Sequence, residues 1–128
     1  LLIDTSSSAV GAMSKSDILI SDISGIIFDF FFIYERPVIT IEGKLDKRGF
    51  EAEDIQKEAW EIEILSEVST IVSYKEINKL KEKIEDSINK KVKEKAVELR
   101  SKAVYNFSRS GSVAADQLIN LTRGISYD

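Results

Sequence analysis

The chain has no cysteine and no histidine, and it has one proline, one methionine and one tryptophan. Without cysteine there is no disulfide framework, no thiolate ligand and no thiol nucleophile. Without histidine the commonest general base near neutral pH is missing, and so is the commonest metal ligand. Charge handling must come from carboxylates, amines, guanidinium groups, hydroxyls and backbone amides. We expect no metal site and no resident cofactor. No apolar run reaches the roughly 18 residues that a membrane span needs. No basic flank precedes an apolar stretch near the start, so no signal peptide is expected. The cytoplasm is the default compartment.

What the chain does have is 128 residues, 43% of them hydrophobic and 31% charged. That is the profile of one soluble globular domain spanning 1–128, able to bury roughly two-thirds of its unfolded surface. The net charge of −4 is unevenly spread. Residues 1–66 hold 6 basic and 13 acidic side chains, a balance of −7; residues 67–128 hold 12 and 9, a balance of +3. The chain is not basic enough for a nucleic-acid partner. It opens on "LLIDTSSS" and its methionine is Met13. It therefore reads as a piece of a longer protein, with an N-terminal domain of the same chain as an expected partner. The edge strand left open by that missing part could pair two copies into a homodimer.

Hydrophobic patterning predicts alternating strands and helices. Ser6–Ser14 reads as a short helix, Asp17–Ser21 as a strand, and a helix capped by Asp22 or Ser24 runs to about Tyr34. Pro37 ends it and "VITI" at Val38–Ile41 is the next strand. A loop follows through Phe50, then a partly helical Glu51–Leu65 and a strand at Ser69–Val72. Ile77, Leu80, Ile84, Ile88 and Val92 recur at helical spacing, and Leu99 and Ala103 extend the stripe. Asn89 breaks it into two helices. Ser108–Ser112 reads as a loop, and Val113–Leu121 as the last helix. Short apolar strands between helices predict a Rossmann-like parallel sheet with helices on both faces, ending in several helices.

The segment "SDILISDISGIIFDF", Ser16–Phe30, carries the chemistry. It sets a knot of small polar residues between two apolar runs. A strand that enters a helix through such a turn leaves the first helical N–H groups without internal partners, and the helix dipole adds partial positive charge there. A phosphate fits such a spot, at the carboxyl end of a parallel strand where ligands of open α/β sheets sit. Ser24 and Gly25 are the candidate donors, with Gly25 permitting close approach. Asp22 would hold the turn or meet a ligand hydroxyl, and Ser21 and Asp29 would support the turn from behind. Asp29 falls inside "IIFDFFFIYE", a helix apolar on nearly all sides and expected to be deeply buried. Arg48 beside Gly49 could neutralise phosphate charge.

Taken together, "SDILISDISGIIFDFFFIYERPVI", "KRGF" at Lys47–Phe50, the "LLIDTSSS" lead-in and the closing "YNFSRSGSVAADQLINL" resemble the CDP-glycerol glycerophosphotransferase family. These are the enzymes of teichoic-acid-type polymer synthesis. The matching positions are Ser16-Asp17, Ser21-Asp22, Ser24, Phe28-Asp29 and Pro37-Val38. Gly25 stands where the family pattern has a second serine, Ile23 and Phe30 stand where it has tyrosines, and the segment before Lys47 is shorter. The resemblance implies the later part of a GT-B-type C-terminal domain. A CDP-activated polyol donor would place its pyrophosphate at the Ser24–Gly25 helix start. It also implies histidine catalysis from residues upstream of this segment, so the catalytic residues themselves are not assigned. The implied location is cytoplasmic, peripheral at the inner face of the cell membrane. Three other readings compete: a UDP- or GDP-sugar glycosyltransferase, a receiver module with Asp22 as phosphoacceptor, and a non-catalytic α/β interaction module.

Overall fold

In the computed structural model the description covers residues 3–43 and 59–124. Three strands, β1 (Leu19–Ser21), β2 (Val38–Ile41) and β3 (Thr70–Val72), form one sheet in the order β1-β2-β3. Both pairings are parallel, with Leu19 opposite Val38 and Ile39 opposite Thr70. Seven α-helices are described: α1 (Val10–Lys15), α2 (Ile26–Tyr34), α3 (Trp60–Glu63), α4 (Leu65–Val68), α5 (Leu80–Ile88), α6 (Lys93–Ala103) and α7 (Ser110–Arg123). A 3₁₀ helix at Tyr74–Lys79 precedes α5. This is an α/β fold with a three-stranded parallel sheet packed by helices and ending in several helices.

Register assigns the faces. Paired residues of a parallel ladder point to the same side, and side chains alternate along each strand. Leu19, Val38 and Thr40 therefore share one face. Val38 belongs to the main core with Ile27, Phe30, Phe31, Phe32, Leu65, Val68, Ala96 and Leu99. So α2, α4 and α6 all lie on this face. The described helices α2 and α4, one from each crossover, lie on the same side, as crossovers of one hand require when strand order is sequential. Ile39, Thr70 and Val72 share the other face. There the buried Ser87 of α5 donates a 3.5 Å hydrogen bond to Thr70 Oγ1. The helices thus cover both faces, and the chain crosses from one to the other between α5 and α6, past the amino ends of the strands.

The expectation of an all-round buried α2 is corrected. Ile27, Phe30, Phe31 and Phe32 are buried, but Asp29 is exposed and Ile33 is 56% exposed. Asp29 and Ile33 are four residues apart, so they share one strip of the helix. That strip faces water, and the carboxylate carries no burial cost. The amphipathic stripe is also only partly realised. Leu80 and Ile84 are half-buried and Leu99 is buried, but Ile77 and Ile88 stay about half exposed, at 47% and 48%. Ile77 sits in the 3₁₀ helix, whose three residues per turn put it out of phase with α5. The face of α5 that meets the sheet carries Ser87, small enough for close approach.

At its C-terminus α2 is locked by charge. Glu35 ends the helix in the left-handed region at φ 52°. Its carboxylate meets Arg100 Nη1 at 3.0 Å and Lys93 Nζ at 3.7 Å. Arg100 also donates to the Phe32 carbonyl oxygen and lies 4.2 Å from the Phe107 ring centroid. One side chain thus ties α6 to the end of α2 and to the segment leading into α7. That helix starts at Ser110, earlier than the sequence suggests, because left-handed Asn106 and Ser108 already end the preceding turn. None of its residues is buried.

Candidate functional site

The carboxyl ends of the strands carry the candidate site. β1 stops at Ser21, whose hydroxyl donates a 3.4 Å hydrogen bond to Asp22 Oδ1. The chain then turns through Ile23, which packs its side chain against the main core. That anchor leaves Asp22, Ser24 and Gly25 exposed. The Ser24 carbonyl accepts the Ile27 N–H at 3.1 Å and the Gly25 carbonyl accepts the Phe28 N–H at 3.1 Å. Gly25 already has helical dihedrals, φ −56° and ψ −26°. The working cap is therefore Ser24, and no side chain caps the helix start. The amides of Gly25 and Ile26 have no acceptor among the described residues. They point out of the N-terminus of α2, where the helix dipole is positive.

Asp29 lies in the first turn of α2 and is exposed. A carboxylate there is favourable to the helix dipole, and it makes no hydrogen bond to Ser21, Asp22 or Ser24. The structure therefore brings Ser21, Asp22, Ser24 and Gly25 into one turn and leaves Asp29 on the outer strip of the helix. Arg48 and Gly49 lie outside the described residues. Among the described residues no group of three or more acidic side chains could hold a metal ion.

A cavity of about 300 Å³ opens beside the turn. Ile23 forms one wall, Ile62 and Ser66 come from α3 and α4, Thr40 and Ile71 come from the sheet, and Glu42 lies just past β2. The Glu42 backbone N–H donates to the Val72 carbonyl at 2.8 Å, fixing that residue against β3. Thr40 is fully buried and donates its hydroxyl proton to Ser69 Oγ at 2.9 Å. The sequence reading missed Glu42, Thr40 and Ile62. For Glu42 a signal was available: it is the first residue after the second strand, at a ligand-binding edge. Ile62 and Ile71 had none, since they come to line one cavity with Ile23 only in the folded chain.

A second cavity, about 210 Å³, lies at the opposite end between Pro37, Val38, Thr70, Val92, Lys90 and Lys95. Its two amines are already engaged. Lys90 Nζ donates to Thr70 Oγ1 at 3.1 Å and Lys95 Nζ to Glu67 Oε2 at 2.8 Å. The Glu67 bond holds the Lys95 ammonium above its ordinary 10.5.

The fold and the strand-end turn define a Rossmann-like parallel α/β arrangement with a ligand-accessible carboxyl edge. No family model matches the chain, and neither a curated protein nor a solved structure does. Among the described residues, no helix is long and apolar enough to cross a membrane.

Proposed function

We propose that the chain is the donor-binding part of a CDP-glycerol glycerophosphotransferase-like enzyme that makes phosphate-containing cell-surface polymers. The observation that carries this reading is the Ser21–Gly25 turn. It delivers β1 into α2 at the carboxyl edge of a parallel sheet, with the Gly25 and Ile26 amides unengaged among the described residues. The motif resemblance supplies the donor class, and no family match adds to it. The reaction would be attack of an acceptor hydroxyl on the β-phosphorus of a CDP-polyol. The new P–O bond replaces the bond to the bridging oxygen, CMP leaves, and the acceptor's proton goes to a base from outside this segment. The chain's own task is alignment and charge stabilisation.

Local charge sharpens the reading. Asp22, Asp29 and Glu42 are exposed carboxylates around this edge. Amides alone would hold a pyrophosphate poorly against that field, so the reading needs a cation. Arg48, in the "KRGF" segment that resembles the family's Arg-Gly-Phe, is the candidate for that role. The basic side chains of α5 and α6 are proposed to touch an anionic membrane surface, where the acceptor polymer would grow.

The test is an NMR amide titration with CDP-glycerol, with UDP and inorganic phosphate as controls. The reading expects shifts centred on Ser24, Gly25 and Arg48, with CDP-glycerol preferred. A folded sample whose Ser24 and Gly25 amides stay still at millimolar CDP-glycerol overturns it. Preference for UDP would move the reading to a sugar-nucleotide glycosyltransferase.

A further inference from the structure

The cavity beside the turn differs from the turn in chemistry. Its walls are mainly branched aliphatic side chains, Ile23, Ile62 and Ile71 among them, and Glu42 is its ionisable group. An ionised carboxylate only accepts hydrogen bonds. Its partner must therefore bring donors, and a vicinal diol brings two. The pyrophosphate diester of an activated donor brings none and is repelled. The Thr40 hydroxyl proton is already given to Ser69, so the other side-chain hydroxyl on the lining is that of Ser66, which can donate to or accept from a ligand hydroxyl and carries no charge to hold an anion.

Position says which diol. β1, α2 and β2 are consecutive, and β1 and β2 are parallel neighbours. In such a unit the phosphate lies at the turn after the first strand, and an acid about 20 residues further on meets the ribose. Glu42 follows β2 directly. It lies 17 residues after Gly25 and lines the same cavity as Ile23 of the turn. The cavity's 300 Å³ sits at the small end of ligand pockets, room for one nucleoside and not for a dinucleotide.

We propose that this cavity is a ribonucleoside seat, in which Glu42 accepts hydrogen bonds from the ribose hydroxyls while Ile23, Ile62 and Ile71 pack against the base. The assignment of the diol to ribose, and the direction of the ligand with its phosphates toward Ser24 and Gly25, rest on the donor-binding reading above; the apolar cavity with Glu42 at its wall does not. The carboxylate keeps anionic groups out of the cavity and so sets the ligand's polarity. Sequence position alone would not have given this, since the walls come from three separate segments.

The test uses nucleosides that carry no phosphate. Isoleucine methyl groups and backbone amides are followed by NMR during titration with cytidine, uridine and 2′,3′-dideoxycytidine, and separately with inorganic phosphate. Cytidine or uridine should move Ile23, Ile62 and Ile71. Dideoxycytidine should bind about tenfold more weakly, the size of a lost hydrogen bond to a charged group. Glu42→Ala should bring cytidine down to the dideoxycytidine level. Equal binding of cytidine and dideoxycytidine to the wild-type chain overturns the proposal, and that comparison needs no variant to fold. Phosphate moving Ser24 and Gly25 while nucleosides leave the isoleucines still overturns the seat and leaves the donor-binding reading standing. Nucleosides filling the cavity while CDP-glycerol leaves the turn untouched upholds the seat and removes that reading.

Discussion

Gly25→Ala separates what the fold needs from what a ligand needs. Gly25 sits at φ −56° and ψ −26°, ordinary helical geometry for any residue. A methyl group built on it would meet no atom within 4 Å. The backbone therefore has no reason to require glycine here. Replacing glycine by alanine at a compatible position stabilises by about 0.4–1 kcal/mol, mainly by narrowing the unfolded ensemble. For a domain of this size that raises the midpoint by about 2–5 °C. The same methyl group would stand where a phosphate must approach the Gly25 and Ile26 amides. Binding of CDP-glycerol should then fall about tenfold or more, the equivalent of one lost charge-assisted hydrogen bond. Thermal unfolding followed by circular dichroism and an NMR titration on the same sample read both quantities. A lower midpoint would refute the helical assignment of Gly25. A higher midpoint with unchanged binding would refute the turn as a phosphate site.

Four further expectations concern the scaffold. Arg100→Met removes the guanidinium that joins Glu35, the Phe32 carbonyl and the Phe107 ring, and should cost about 2 kcal/mol after allowance for partial exposure, read by urea denaturation; a loss no larger than that of an exposed lysine such as Lys81 would refute the lock. Ser87→Leu forces a larger side chain between α5 and the sheet and should cost about 1–3 kcal/mol, with the midpoint as readout. Thr40→Val keeps the shape and loses the 2.9 Å bond to Ser69, for about 1 kcal/mol in the same assay. Lys95→Met tests pH linkage: the Lys95 pKa is raised by Glu67, so its stabilisation is complete below 10.5 and fades as pH rises through the raised value. The small difference in midpoint between variant and wild type should shrink on going strongly alkaline.

The strands and α2 could be read from the sequence because their signals are local. Val38–Ile41 is bounded by Pro37 and a polar loop, and Ile26–Tyr34 follows a turn of small residues. The parallel sheet followed from the alternation of short apolar strands with helices. What could not be read depends on distant residues or on backbone phase. The Arg100 lock joins positions 32, 35, 100 and 107. The contact face of α5 is set by the 3₁₀ turn before it, so the isoleucine stripe overstates how much of it is buried. Ser110 and Gly111 look like loop because both are weak helix formers, yet left-handed Asn106 and Ser108 place the helix start at Ser110. Of the site, the Ser21–Gly25 turn was legible as a contiguous motif, and the cavity was not.

The two ends of the sheet separate the groups that stabilise the fold from the edge proposed to bind. Ion pairs that join different helices gather at the amino end of the strands: Glu35 with Arg100 and Lys93, and Glu67 with Lys95. Arg36 donates to the Ser14 and Ser16 carbonyls at the same end, tying the end of α1 to the segment that enters β2. At the carboxyl end, apart from the uncharged Thr40–Ser69 hydroxyl pair under the cavity, the described bonds are short-range or backbone: Ser21 to Asp22, the Glu42 N–H to Val72, and the Lys75 N–H to Ser73 Oγ. The parallel topology imposes this split. Each crossover helix runs back toward the amino ends, so its C-terminal carbonyls and their cationic partners collect there, while helix starts and their free amides collect at the other end. Charge that stabilises can therefore be placed without filling the edge proposed to bind. It follows that substitutions at Glu35, Glu67 or Arg100 should move the unfolding midpoint and leave ligand shifts at Ser24 unchanged, while substitutions at Asp22, Ser24 or Glu42 should do the reverse.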